Sequence, residues 1–359
     1  MRTVSKTVIG VDFGTQSARA VLVNTENGKI LYSCRREYPR SSTPVPAIDC
    51  AENLPCATNY EMTLYSLLCH VVPEDYRKTV AGICVDATSL TMILLAKDGR
   101  ALSELDGWSE VAHARVKLWK YHRAQEQANE ALALAKDLKE PFLERTGGSI
   151  SGEWMLPKLL EVRDEAPEIY SKIDLAMDLC EFLTYRLTGQ LVRSIGSLSY
   201  KCLWAEDFGF PEQTFLNGLR TGFYEEYCHF LRGDVRKPGE CAGMLQSELA
   251  KRWGLPEQIP VATGVLDGHT SLATMGAFEP GDAALIVGTS NVCTVQDRKL
   301  QELKDVCGVA QDGMVTGSCG IDTGQSSTGN MLGWYIEHMA DWQIHREAEE
   351  RKISPHQVL

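Results

Sequence analysis

Apolar residues in this chain come in short runs, each closed by a polar or glycine-bearing turn. Thr7–Val11 (TVIGV) reads as a buried strand and Ala18–Asn24 (ARAVLVN) as a second. Asn27-Gly28 is a two-residue hairpin signal, and Lys29–Tyr38 completes a third strand. Three antiparallel strands therefore open the chain, with the turn Asp12–Ser17 (DFGTQS) between the first two. Thr79–Val85 (TVAGICV) is a further buried strand ending on Asp86-Ala87-Thr88-Ser89, and Thr91–Ala96 is another. Helical periodicity marks Tyr60–His70, Ala112–Leu138, Ile150–Leu160, Leu175–Leu187 and Met244–Trp253. Strands alternating with helices predict an α/β fold.

The pattern changes at Pro256–Ile259, from polar to apolar, and this is the expected domain boundary: residues 1–258 and 259–359. Ile259–Val265 reads as a strand that ends at a single acid, Asp267. Gly268–Gly276 can pack as a helix, and the strand Ala283–Val287 runs into Gly288-Thr289-Ser290. Asn291–Gln296 is a further strand. Ser318–Gly329 is rich in glycine and hydroxyls and leads into a helix, Asn330–Met339.

Composition narrows the class. A chain of 359 residues exceeds one ordinary core. Its 44% hydrophobic and 23% charged residues are those of a globular protein. A net charge of −12 argues against a general nucleic-acid or anionic-membrane surface. It leaves room for a nucleotide in a local electropositive pocket. The 12 cysteines are scattered without a CxxC, which predicts free thiols in a reducing compartment. With no signal-peptide core at the start and no apolar run of membrane length, the expected location is cytoplasmic.

Three places carry candidate chemistry. In DFGTQS, Gly14 can take tight-loop backbone angles. Successive N–H groups with the hydroxyls of Thr15 and Ser17 can surround a phosphate, and Asp12 can hold a hydrated Mg²⁺. Taken alone, a hairpin turn with an Asx cap explains the same residues more simply. Asp267 is either a proton acceptor or a helix cap. Lys201, between Tyr200 and Cys202, either reaches sugar hydroxyls or snorkels to the surface, and alone the surface reading is the simpler.

The series of segments resolves these choices. IGVDFGTQSARAVLV (9–23), VDATS (85–89), VKLWKYH (116–122), GGSISGEWM (147–155) and SLSYKCLW (197–204) are followed by LRGDV (231–235) and GVLDGH (264–269). VGTSNVC (287–293), CGVAQDG (307–313) and DTGQSSTGN (322–330) complete it. In this order they resemble the FGGY carbohydrate kinases of the actin-like ATPase superfamily, and within them the ribulokinase-type members.

The resemblance implies two ribonuclease H-like domains closing on sugar and ATP. It implies ATP-phosphate contacts at Gly14, Thr15, Gln16, Ser17, Gly288, Thr289 and Ser290, with Mg²⁺ held through water at Asp12. Asp267 becomes the catalytic base. Ala87, Thr88, Lys201, Asp267 and Asp322 become the sugar side, and Asp86 could also lie near the metal or sugar. The implied reaction is phosphorylation of a keto-pentose, ribulose to ribulose 5-phosphate, with xylulose or glycerol as alternative substrates. The implied partners are the sugar and ATP, with neither nucleic acid nor membrane, and the subunits can pair as a homodimer. Asp322 stands where ribulokinase-type members usually carry Glu, and Leu266 and Gly268 flank the base; both bear on which sugar is taken. Family members run on past a length of 359, to a glycine-rich adenine-binding segment. A non-catalytic sugar-binding protein is therefore a further alternative.

Overall fold

The protein was analysed as a computed structural model, which describes residues 5–38, 54–287, 291–325 and 328–358. Its first sheet begins as the sequence predicts. β1 (Thr7–Phe13), β2 (Ser17–Asn24) and β3 (Ile30–Glu37) form an antiparallel meander. β4 (Val80–Ala87) then lies parallel to β1 on its other side. β1 alternates strictly, with Ile9, Val11 and Phe13 buried. A period of two places one face of a strand on the core. Here that face packs with the helices Ala57–Val71 and Leu179–Thr188 around Leu64, Leu67, Phe182 and Leu183.

The expected domain boundary at Ile259 is not where the first sheet ends. Val261 pairs with Ile83, and Val265 and Leu266 pair with Asp86 and Ala87, all parallel to β4. Residues 260–266 therefore complete the first sheet. Their apolar character suits a strand buried inside a sheet, which is why they looked like the start of a new unit. The helix Asp267–Met275 leads out of this sheet to a second one. That sheet has four antiparallel strands in the order Ala283–Val287, Asn291–Asp297, Cys319–Gln325, Gly308–Gln311.

Four other expectations shift. Only Gln125–Leu138 of the long helix predicted over 112–138 is an α-helix. Upstream, Lys117 exchanges both backbone hydrogen bonds with Met92, and Arg115 donates to the Leu54 carbonyl. Long-range pairing there overrides helical periodicity. Leu175–Asp178 is a strand against Met92–Leu95, and the helix starts only at Leu179, behind an Asp178–Glu181 capping box. Cys241–Met244 is a strand beside Pro260–Ala262, so that helix starts at Ser247. The glycine-rich segment after Ser318 is largely the strand Cys319–Gln325, which puts Asp322 inside a sheet.

The sheets meet along a buried seam. Tyr200, on the short helix Ile195–Lys201, donates its hydroxyl to the Gly320 carbonyl at 2.7 Å. Gly196 of that helix is required by contact, since a Cβ there would stand 2.5 Å from the Gly313 carbonyl oxygen. Away from the seam, the second unit shows bare apolar surface. Leu285 and Val287 project from one face of their strand, and Leu332, Trp334 and Trp342 lie exposed beyond it. None of the described cysteines is paired. No helix among the described residues is long and apolar enough to cross a membrane.

Candidate active site

Three acids converge on one end of the first sheet. Asp12 and Asp86 are register partners on β1 and β4. Asp267 follows Leu266, which is paired with Ala87, so it emerges beside the end of β4. Parallel strands ending together place the residues that follow them on a common edge, as open α/β sheets do at their binding crevices.

Two of these carboxyls, Asp86 and Asp267, hold their protons more tightly than usual. Burial pushes Asp86 up to about 8, and the negative charges of Asp12 and Asp267 add to it. Asp86 therefore keeps its proton at neutral pH unless a cation arrives. Burial also raises Asp267, while hydrogen bonds from the backbone N–H groups of Gly268 and Ser89 offset part of that rise. The Gly268 N–H donates to Asp267 Oδ1 at 2.7 Å, and Asp267 stands in the first turn of its helix, where the helix dipole favours a carboxylate. Arg19 reaches Asp12 only at 4.0 Å, and both are solvent-exposed, so it neutralises little of this charge.

The glycine turn is braced from below. The Tyr38 hydroxyl donates to the Gly14 carbonyl at 2.7 Å, and Tyr38 itself sits in an aromatic cluster with Phe13 and Tyr60. Trp119 Nε1 donates to Thr15 Oγ1 at 3.1 Å. Thr15 and Gln16 are exposed at the tip. One detail differs from expectation. Gly14 does not lie in the left-handed region, so it is not required there for its φ; its N–H closes the turn on the Ser17 carbonyl. Ser17 is buried at the start of β2, and its hydroxyl accepts from Arg35 Nε at 3.0 Å, which leaves its O–H as the group it could turn to a phosphate.

On the sugar side, Lys201 is buried rather than snorkelling, with Nζ 3.1 Å from Asp322 Oδ2. Burial alone would lower the lysine, but Asp322 more than restores it. Burial alone would raise Asp322, but Lys201 and His269 hold it well below the usual carboxylate range. Ala87 is wholly buried, so its side chain faces the core. The Thr88 hydroxyl is bonded to that of Thr91 at 2.8 Å. Gly288, Thr289 and Ser290 lie outside the described residues.

Sequence reasoning did not single out His269, whose Nε2 is 3.6 Å from Asp322 Oδ2. Its signal was its place in the first turn of the helix that Asp267 opens. Trp119 was visible only as part of a longer matching segment. Among the described residues no three ligating side chains are grouped tightly enough to hold a metal directly. Asp12 and Asp86 instead offer carboxylate oxygens to a hard cation that keeps its waters, and the raised Asp86 is what a pair of acids awaiting a cation would show. A cavity of about 250 Å³ lined by Arg145, Trp204, Asp207 and Gln311 lies elsewhere and contains none of these residues.

The sequence pattern of the FGGY family of carbohydrate kinases, N-terminal domain, matches residues 7–275. Ribulokinase from Halalkalibacterium halodurans is 32% identical over 363 residues, covering 99% of this chain and 64% of the relative. Ribulokinase from Mycolicibacterium smegmatis is 34% identical over 368 residues, with the same two coverages. The chain thus spans 64% of the length of these curated relatives. Among solved structures, xylulose kinase from Rhodospirillum rubrum superposes with a TM-score of 0.72 at 21% identity, over 96% of this chain and 66% of that one. Plasmodium falciparum glycerol kinase with ADP gives 0.73 at 14% identity, over 96% and 67%. These likenesses show the fold, that of the actin-like ATPases.

Proposed function

Because this chain belongs to the FGGY family of carbohydrate kinases, we propose that it transfers the γ-phosphoryl group of ATP to a primary hydroxyl of a keto-pentose, ribulose before xylulose. The observation that carries this reading is the meeting of three acids, Asp12, Asp86 and Asp267, at one sheet edge. The ribulokinase relatives favour ribulose over other sugars.

Asp267 is the base. It accepts the hydroxyl proton as the sugar oxygen attacks the γ-phosphorus in line. The transition state is loose and the proton moves late, so a carboxylate serves, and a raised affinity for the proton helps. The exposed turn at Thr15 and Gln16 faces phosphate, with backbone N–H groups as donors. Tyr38 and Trp119 keep that turn in place, which spares reorganisation during the reaction. Lys201 and Asp322 orient the sugar hydroxyls. Asp12 and Asp86 would hold Mg²⁺, whose charge, when bound, screens the phosphate oxygens.

The test is ADP release with L-ribulose, D-ribulose, D-xylulose, ribitol and glycerol, run beside calorimetry with each sugar and with MgATP. Turnover of ribulose supports the proposal. Turnover of glycerol alone overturns the choice of substrate. Sugar binding without MgATP binding or turnover makes the chain a sugar-binding protein instead.

A further inference from the structure

His269 is 4% exposed and sits on the helix that begins with Asp267. Its Nε2 stands 3.6 Å from Asp322 Oδ2, the oxygen that also takes Lys201 Nζ. Its ring meets Tyr200 edge-on, with centroids 4.7 Å apart. Nδ1 is buried and has no hydrogen-bond partner among the described residues. A ring nitrogen's protonation is set by what the other nitrogen contacts, and here the carboxylate of Asp322 stands at Nε2.

Asp322 is thus held from two elements. Lys201 approaches from the helix Ile195–Lys201 and His269 from the helix Asp267–Met275. A single ammonium leaves a carboxylate free to turn about its Cβ–Cγ bond. A second polar group close to the same oxygen, carried by another element, restricts that rotation.

We propose that His269 is a positioning residue for the sugar. Acting through Asp322, it fixes the carboxylate that meets a substrate hydroxyl and ties the helix of the base to the strand of that carboxylate. The inference rests on the sugar-kinase reading above. A neutral imidazole protonated at Nε2 is enough, so the role does not require His269 to carry charge.

A histidine that merely fills space against Tyr200 would be replaced by phenylalanine without effect on sugar affinity beyond general loosening. The experiment is a double-mutant cycle on L-ribulose binding to the full chain, measured by calorimetry. His269→Phe should weaken binding on the order of tenfold, the scale of one lost polar contact. His269→Gln, which keeps a donor, should recover part of that loss. In an Asp322→Asn background, His269→Phe should add little. Unchanged affinity in His269→Phe, or losses that add fully with Asp322→Asn, would overturn the proposal. If His269→Phe does not fold, His269→Gln and His269→Asn carry the cycle.

If the parent binds no keto-pentose, the sugar-kinase reading fails separately. The imidazole ¹⁵N spectrum of the ligand-free chain then decides this one. An Nε2-protonated signature lost in Asp322→Asn supports the contact, and a spectrum indifferent to Asp322→Asn refutes it.

Discussion

Lys201 Nζ and Asp322 Oδ2 lie 3.1 Å apart across the seam between the two sheets, both nearly closed off from solvent. Removing one partner of such a pair strands the other charge in a poorly solvating site. Lys201→Met should therefore cost about 3–5 kcal/mol in urea unfolding, and Lys201→Met with Asp322→Leu distinctly less. Equal losses in the single and double variants would mean that the stranded charge carries no such penalty. The depressed Asp322 contributes stability that is present above its unfolded-state pKa and lost only as pH falls well into the acid range, so the seam should survive mild acid.

On the proposed reading, Asp267 is the base on which turnover depends. Asp267→Asn keeps the shape and the helix start but cannot take a proton. In steady-state assays kcat should fall by about 100-fold or more, the usual scale for a lost general base, while calorimetric sugar affinity changes little. Retained turnover would move the role of base elsewhere.

Asp86 gives the protein a pH signature. Its native pKa is raised above the unfolded value, to about 8, chiefly by burial. The native state therefore holds a proton that the unfolded chain releases, and stability from this group is lost as pH rises from about 4 through 8. Asp86→Asn removes the dependence. The melting temperatures of parent and variant should coincide near pH 4, and the variant should melt higher at pH 8. Adding Mg²⁺ at pH 7 should release protons from the parent but fewer from Asp86→Asn, which unbuffered titration would record.

Tyr200→Phe removes one buried hydroxyl and leaves the Gly320 carbonyl short of a donor at the seam. The expected loss is about 1–2 kcal/mol in urea unfolding. An unchanged midpoint would show that the carbonyl is satisfied without it.

The opening meander was legible because β-branched alternation and Asn27-Gly28 agree on the same answer. The three acids were each visible as residues at strand ends. Their convergence followed only from the family resemblance, because it depends on Val265–Leu266 returning to β4 from far along the chain. The same long-range pairing keeps residues 260–266 in the first sheet. Lys158 is a lysine whose place the sequence does not announce: Nζ donates to the carbonyls of Leu90 and Leu118 inside the core, and burial lowers it to about 7. Partners of that kind are backbone atoms, which no side-chain pattern announces. His269 escaped for a related reason, since its partners Asp322 and Tyr200 come from separate elements.

The bare face at Leu285 and Val287, with Leu332, Trp334 and Trp342 beyond it, sets how the isolated polypeptide behaves as a colloid. Exposed apolar surface of this kind is adhesive in water, and its attraction strengthens with salts that are excluded from protein surfaces. Light scattering should rise with protein concentration and with added sulfate. Charge substitution at Leu285 and Val287 should suppress that rise.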